Sequence, residues 1–151
     1  MPSNDYFLSK QTLTVTSGVY TIGDVVGGLI TFANVCRGAG RRSQINSLTL
    51  TCTVGIAYEL WLFQADIATP AADNAVFTLV AADIAMCQGS IPILSTAFTV
   101  AASAFAIASV NNIGLIFTCV ATTLYGYLKA TAVTSPATTV MTITLDGTML
   151  D

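Results

Sequence analysis

Apolar residues alternate with threonines in three separate stretches of the chain. The clearest is Leu48–Val54, where an apolar residue occupies every second position and a threonine lies between each pair. The same pattern occurs in Thr12–Thr16 and in Met141–Leu145. A step of two residues turns a helix by about 200°, which would scatter the apolar residues, whereas in a strand they share one face. These stretches therefore predict strands with one apolar face and one threonine-rich face.

Other segments have a similar strand-like composition. We predict further strands at Gly28–Val35, Tyr58–Ala65, Ile91–Leu94, Ala104–Val110, Ile113–Ala121, Leu124–Ala132 and Thr138–Leu145. Turn residues separate these segments, as at Gly38–Gly40 and Asn111–Asn112. The Ala-rich stretch Ala97–Ala108 fits either a helix or a strand, and we assign it to strand.

One segment differs from this pattern. Thr69 is a good cap residue, and Pro70 suits the first position of a helix. A short helix is therefore predicted here, continuing through Ala71–Phe77 or through Val80–Met86.

The regular spacing of strands and turns predicts an all-β fold. We expect an antiparallel β-sandwich of jelly-roll type with one short helical insertion. We expect an N-terminal arm at residues 1–11 and a single β-sandwich domain at residues 12–151. The length of 151 residues agrees with one domain.

Composition excludes several functional classes. Only 9% of the residues are charged and none is histidine, whereas about 25% is usual for charged residues. No histidine-based triad or histidine–metal site can therefore form. The net charge of −3 argues against nucleic-acid binding. With no phosphate-binding glycine motif either, we expect no enzyme activity, no cofactor and no small-molecule substrate.

Two sets of residues were considered for metal or thiol chemistry. Asp66, Asp73 and Asp83 surround the predicted helix, where caps and turns use aspartates. A calcium site built from them would lack the EF-hand pattern, so we expect no metal. The four cysteines, which show no CxxC spacing, are Cys36, Cys52, Cys87 and Cys119. We expect buried, reduced thiols, and whether any two of them pair stays open.

Three of the five cationic residues lie close together. Arg37, Arg41 and Arg42 flank a Gly-Ala-Gly turn. On a hairpin tip they would form a small positive knob that anchors an acidic partner, because the guanidinium fork bonds carboxylates in a bidentate way. A solvated turn is the alternative interpretation.

The high apolar content, 54% of the chain, indicates a subunit of an assembly or a membrane protein. No charged residue occurs from Ile84 to Leu128. The most apolar window there, Ala97–Ile116, contains two asparagines and has no basic flank. The alternative to a subunit of an assembly is therefore a small holin-like membrane protein. We favour the subunit and expect no membrane span.

Aromatic side chains raise a third possibility. Trp61, Tyr125 and Tyr127 would stack on sugar rings if the chain were a sugar-binding module. Alternating aromatics belong more often to a core or an interface.

Three segments resemble a known family. Val19–Leu29 (VYTIGDVVGGL), Leu60–Ala85 and Leu124–Ala132 are similar to segments of the capsid decoration (cement) proteins of tailed bacteriophages. These are small β-rich virion proteins, often jelly rolls.

The resemblance implies a structural virion protein on the outer surface of an icosahedral phage head. Its partners would be the major capsid protein and further copies of itself, as a dimer or trimer, after synthesis in the host cytoplasm. A tail or fibre component is an alternative within the virion. We expect Met1–Lys10 to extend to a neighbouring chain, with Met1, Pro2, Tyr6 and Phe7 in contact with the partner.

Overall fold

The computed structural model describes residues 5–16, 18–68, 70–102, 105–134 and 141–150. Within these ranges the strands are β1 (Asp5–Leu13), β2 (Val25–Phe32), β3 (Arg42–Cys52), β4 (Tyr58–Phe63), β5 (Cys87–Ile93), β6 (Phe98–Ala102), β7 (Phe105–Thr118), β8 (Leu124–Ala130) and β9 (Met141–Met149). One α-helix, α1 (Ala81–Met86), precedes β5, and a 3-10 turn (Ser95–Ala97) precedes β6.

The strands form two antiparallel sheets. Sheet one has the order β1-β9-β3-β7-β6, and sheet two has the order β2-β8-β4-β5. The pairing is nested, because β1 pairs with β9, β2 with β8, β3 with β7 and β4 with β5. Such nesting is what results when one long hairpin rolls up into two sheets, which is the jelly roll. The predicted fold class is confirmed, and β6 adds an edge strand beside β7.

The alternation of apolar residues and threonines places the core between the sheets. In β3, Leu48, Leu50 and Cys52 are buried, whereas Thr49 and Thr51 are only half-buried on the opposite face. Burying the apolar row is the main driving force for this packing. The predicted distinction between an apolar face and a threonine face is therefore confirmed in this strand.

A second apolar cluster covers the outer face of sheet two. The ring of Phe77, in the connection between β4 and β5, has its centroid 5.8 Å from that of Trp61, 6.4 Å from Phe63 and 5.6 Å from Tyr127. The connection thus gives sheet two a second layer of buried side chains. The outer face of sheet one keeps its half-exposed threonines, so the two sheets differ in what faces outward.

The chain's beginning differs from the prediction. Strand β1 pairs with β9 of the same chain, from Asp5 opposite Met149 to Leu13 opposite Met141. The prediction of a separate extended arm is therefore wrong for residues 5–10, which form an edge strand of sheet one, whereas their contact with a neighbouring chain stays a prediction. The reason is that Phe7 and Leu13 are apolar residues on one face, which the core buries. The expected arm residues Met1 and Pro2 lie outside the described residues.

The predicted turn at Asn111–Asn112 is also wrong. These residues lie inside the continuous strand β7, which pairs with β3 on both sides of them. The register shift there, with Asn112 and Gly114 at positive φ, marks a bulge. A bulge and a turn use the same residue types, so composition does not distinguish them.

The helix lies in the second of the two predicted places. Residues Ala81–Met86 form α1, which confirms the prediction for Val80–Met86, whereas Ala71–Phe77 is not helical. The earlier segment instead runs beside β2, where the N–H of Val25 donates to the carbonyl of Ala75 at 2.8 Å. The expected cap residue Thr69 lies outside the described residues.

Two of the cysteines form a disulfide, which corrects the expectation of reduced thiols. Cys36 in the β2–β3 connection and Cys119 after β7 are bonded, with their Cα atoms 6.4 Å apart. Cys52, which is buried, and Cys87, which is partly exposed, are free. The apolar surroundings of each cysteine do not reveal which two loops meet in the fold.

Candidate interaction surface

The three arginines lie at the end of the sandwich where β1 begins. Arg37 is in the β2–β3 connection and Arg42 is the first residue of β3. Because β2 and β3 belong to different sheets, this connection is not the predicted hairpin tip. It is a link between sheets, held by the disulfide and by a hydrogen bond from the N–H of Gly40 to the carbonyl of Cys119 at 2.8 Å.

The arginine side chains are exposed at this end. Arg37 forms an ion pair with Asp5, with 2.9 Å between Nη2 and Oδ2. Exposed ion pairs contribute little to stability, so this contact mainly fixes the start of β1. Arg41 and Arg42 are exposed beside it. The disulfide-held connection thus presents guanidinium groups to solvent, which is the geometry an anchor for carboxylates needs.

The predicted contact residues of β1 separate into two groups. Phe7 is only 5% exposed and packs edge-on against Phe117, with ring centroids 6.2 Å apart. Tyr6 is 76% exposed and Leu8 is 74% exposed. Phe7 is therefore part of the core, whereas Tyr6 is available for contact. Leu8 was not among the predicted contact residues, although it lies two positions after Tyr6 and therefore on the same face of a strand.

The outer face of sheet one carries an ordered set of threonines. Thr12 lies opposite Thr142, which in turn lies opposite Thr51, and the pair next to them is Thr49 with Thr144. We call this surface the threonine face and define it by Thr12, Thr49, Thr51, Thr142, Thr144 and Thr148.

Apolar side chains flank the threonine face on both sides. Tyr6 and Leu8 project from β1 at one edge, and Ile107 and Ile116 are exposed on β7 towards the other. Lys10 and Asp146 lie on the same face beside the threonines. A hydroxyl-rich surface bordered by exposed apolar groups is suited to binding another surface by contact.

The aspartates considered for calcium serve as loop anchors. The carboxylate of Asp73 accepts hydrogen bonds from the N–H of Gly27 at 2.6 Å, from the N–H of Thr16 at 2.7 Å and from the hydroxyl of Tyr20 at 2.8 Å. Partial burial alone would raise the pKa of Asp73, but these hydrogen bonds outweigh it and hold the pKa below its usual value.

Asp83 is fully buried and caps the start of α1. Its carboxylate accepts hydrogen bonds from the N–H groups of Ala68 at 2.6 Å and Val80 at 3.0 Å. This agrees with the predicted use of the aspartates in caps and turns. Among the described residues, no cluster of three or more potential metal ligands occurs.

The free thiol at Cys52 is not an activated nucleophile. Burial raises the pKa of Cys52 to about 11, with a smaller opposing effect from its contact with the carbonyl of Val54. The side chain is therefore a protonated thiol at neutral pH, and thiols react as thiolates.

The aromatic residues do not form a sugar-stacking surface. Tyr127 is fully buried and Trp61 is half-buried, both beneath Phe77. The polar groups beside Trp61 are also paired, since Lys129 Nζ lies 2.6 Å from Glu59 Oε2. Tyr125, the third ring, is half-buried and packs against the same cluster. All three rings thus belong to this packed cluster, as the core interpretation predicts.

A groove of about 440 Å³ lies between β5 and β7. It is lined by Ser90–Pro92 and Val110–Leu115, none of which is charged. The groove therefore has no group that titrates near neutral pH, and acid–base chemistry is not available in it.

The charge-free segment Ile84–Leu128 is mainly β-strand. Among the described residues, no helix is both long enough and apolar enough to cross a membrane. The described residues of the window 97–116 lie mostly in β6 and β7.

Comparisons with known proteins gave distant structural similarities only. No family model and no curated protein matches the chain. The structure of desmodium yellow mottle tymovirus is 14% identical, with 99% of this chain and 89% of that chain covered and a TM-score of 0.30. That of maize chlorotic mottle virus is 11% identical, with 95% and 93% covered and a TM-score of 0.27. The VP2 subviral particle of infectious bursal disease virus is 12% identical, with 99% and 42% covered and a TM-score of 0.29. At these TM-scores the jelly-roll assignment rests on the strand order alone.

Proposed function

We propose that the chain is a structural virion protein that acts by contact. One observation carries the proposal: the jelly roll covers one of its sheets with its own connection, whereas no described segment covers the other, threonine-rich sheet. Viral capsid proteins are among the proteins that use this fold. The described residues contain no acid–base or nucleophile arrangement that would favour an enzyme instead.

More specifically, we infer a capsid decoration role on the outer surface of an icosahedral phage head, where the protein bridges major capsid protein subunits. The resemblance of Val19–Leu29 and Leu60–Ala85 to decoration proteins supports this. On a symmetric shell, weak contacts repeat at many sites and gain strength by multivalency.

The dimensions of the uncovered face support binding through it. Neighbouring strands lie about 4.8 Å apart, and each residue advances a strand by about 3.3 Å. The five strands, which have 5 to 14 residues each, then present on the order of 750 Å². A standard interface buries about 800 Å² on each partner. The threonine face and its apolar borders are therefore large enough to hold the protein on a shell.

The arginine end supplies the charged part of this contact. Arg37, Arg41 and Arg42 would bond carboxylates of the capsid subunit, which implies an acidic patch on the partner.

The protein would be made in the host cytoplasm and would associate with itself as a dimer or trimer. Because disulfides form in oxidising surroundings, the bond between Cys36 and Cys119 would close after the particle leaves the cell.

A capsid-binding experiment tests this role. Purified protein is added to phage heads that lack it, and bound copies are counted against major capsid protein by quantitative gel analysis. We expect saturation at a fixed ratio set by the lattice. Thr51→Lys, on the threonine face, should reduce occupancy, whereas the matched control Ile22→Lys, at a 69% exposed site in the β1–β2 connection, should not. Binding to tails instead of heads would favour a tail or fibre component, and no binding to either would contradict the virion role.

A further inference from the structure

The sandwich has four edge strands, and edges are where sheets from different molecules join. Sheet one ends in β1 and β6, and sheet two ends in β2 and β5. Natural proteins protect such edges by bulges, prolines or short strands, because unpaired main-chain groups bind other strands. Comparing the protection of the four edges among the described strands therefore shows which edge is most open to pairing with another chain.

Three of the edges carry such protection. Strand β2 has a register shift between Val26 and Leu29, with Gly27 and Gly28 at positive φ. Strand β5 contains Pro92 and a register shift where it pairs with β4. Strand β6 is only five residues long and is also irregular. Each of these features disfavours continuous pairing with another strand.

Strand β1 lacks these three features, and its one protective device is the exposed charge of Lys10. Its nine residues pair with β9 without a register shift, and it contains no proline. In the described part of the chain, its main-chain groups make no hydrogen bond to a segment other than β9. Its outer face also carries Tyr6 and Leu8, the two most exposed large apolar side chains among the described residues.

We propose that β1 pairs antiparallel with β1 of a second copy of this chain, with Leu8 opposite Leu8 across a two-fold axis. The two five-stranded sheets then become one continuous sheet. This inference rests on the self-association in the proposed function and names the surface that carries it.

The side chains agree with this register. Cross-strand partners point to the same side of a sheet, so pairing about Leu8 places Tyr6 opposite Lys10 of the second copy, twice. A lysine against a tyrosine ring is a favourable cation–π contact. Pairing about Lys10 would place the two lysines opposite each other, which is unfavourable. The strand is therefore complementary to itself, as an isologous interface requires.

A charge-swap experiment tests the interface and its register. Leu8→Lys and Leu8→Glu are made separately, and self-association is measured by sedimentation over a concentration series. The wild-type chain should dimerise, and each variant alone should lose at least about tenfold in self-affinity, because like charges then face each other. Mixing the two variants should restore the dimer. Because Leu8 is largely exposed, both variants should keep the circular dichroism spectrum of the wild type. Leu8→Glu should melt somewhat lower, because its partner on β9 is Asp146.

The matched control is Ile22→Lys, which adds the same charge at an exposed apolar site away from β1. It should dimerise as the wild type does. A monomeric wild type, or a Leu8→Lys variant that dimerises normally, would overturn the proposal. So would two monomeric variants that fail to combine, since the Leu8 register requires that they meet. Occupancy of phage heads is a separate measurement, so loss of the dimer does not count against the virion role.

Discussion

The main-chain N–H of Gly27 donates to Oδ1 of Asp73 at 2.6 Å, although 46 positions separate the two residues. The same carboxylate accepts hydrogen bonds from Thr16 and Tyr20. It therefore joins the β1–β2 connection to the long β4–β5 connection. The β4–β5 connection covers the outer face of sheet two, so the carboxylate of Asp73 helps to hold this cover in place.

Asp73→Asn should lower stability in a pH-dependent way. The hydrogen bonds hold the pKa of Asp73 below its unfolded value, so their stabilisation is present above about pH 4 and is lost as the pH falls through the folded pKa. We expect the variant to lose about 1–2 kcal/mol of unfolding free energy at pH 7. The difference from wild type should shrink below about pH 4, where the carboxylate of the unfolded wild-type chain becomes protonated, and should be smallest below the folded pKa, where the folded one is protonated too. Urea unfolding at several pH values measures this.

The matched control for this change is Asp146→Asn, at a half-exposed position on the outer face of sheet one. It should change stability by less than about 0.5 kcal/mol, as surface substitutions usually do. A loss at Asp73 that is the same at pH 3 and pH 7 would show that the ionised carboxylate is not what holds the loops.

Gly27→Ala should destabilise the junction between β1 and β2. Gly27 has φ of +80°, and an added Cβ would lie 2.7 Å from Cβ of Leu13. We expect a loss of about 1–3 kcal/mol, since strain of the backbone and the close contact add together. Gly38→Ala is the control, because Gly38 has no positive φ and open space around it. Equal melting temperatures for the two variants would contradict this reasoning.

Removing the disulfide should lower stability without changing the fold. The bond closes a span of 83 positions, and disulfides over long loops typically stabilise by about 2–4 kcal/mol. We expect Cys36→Ala/Cys119→Ala to melt at a lower temperature than wild type. A reducing agent should lower the melting temperature of wild type to nearly that of the double variant and leave the variant unchanged. If oxidised wild type and the double variant melt at the same temperature, the bond does not stabilise the fold.

The sequence patterns predicted local structure well where a strand has two different faces. Leu48–Val54 shows this, because alternation with period two reports burial on one side only. The same residues do not say which strands meet. The pairing of Cys36 with Cys119, the bulge at Asn111–Asn112 and the reach of Asp73 to Gly27 all depend on contacts between distant segments.

Only part of the candidate interaction surface could be predicted from the sequence, again because contacts between distant segments are not visible in it. Arg37, Arg41 and Arg42 are exposed, as a charged cluster next to glycines indicates, but the sheet change between β2 and β3 was not visible in the sequence. Residues 1–11 were predicted to be an arm, whereas residues 5–11 belong to β1. Phe7 is buried and Leu8 is exposed, but both are apolar, so the sequence does not show this alternation in burial. It becomes visible only when β1 is seen paired with β9.

Replacing the three arginines tests the charged anchor. Arg37→Ala/Arg41→Ala/Arg42→Ala should weaken binding to phage heads, and wild-type binding should fall more steeply with salt than binding of the variant. The triple Arg→Lys variant retains charge but not the bidentate geometry, so its occupancy should be intermediate. Equal occupancy for all three proteins would show that these residues form only a solvated connection.

A cryo-electron microscopy map of the intact particle decides whether this chain works as part of a viral coat. We expect density for the jelly roll on the outside of the head, with the threonine face or the arginine end against the shell and adjacent copies related by the lattice. Particles that contain no copy of the chain, or copies located only inside the head, would contradict the proposed role.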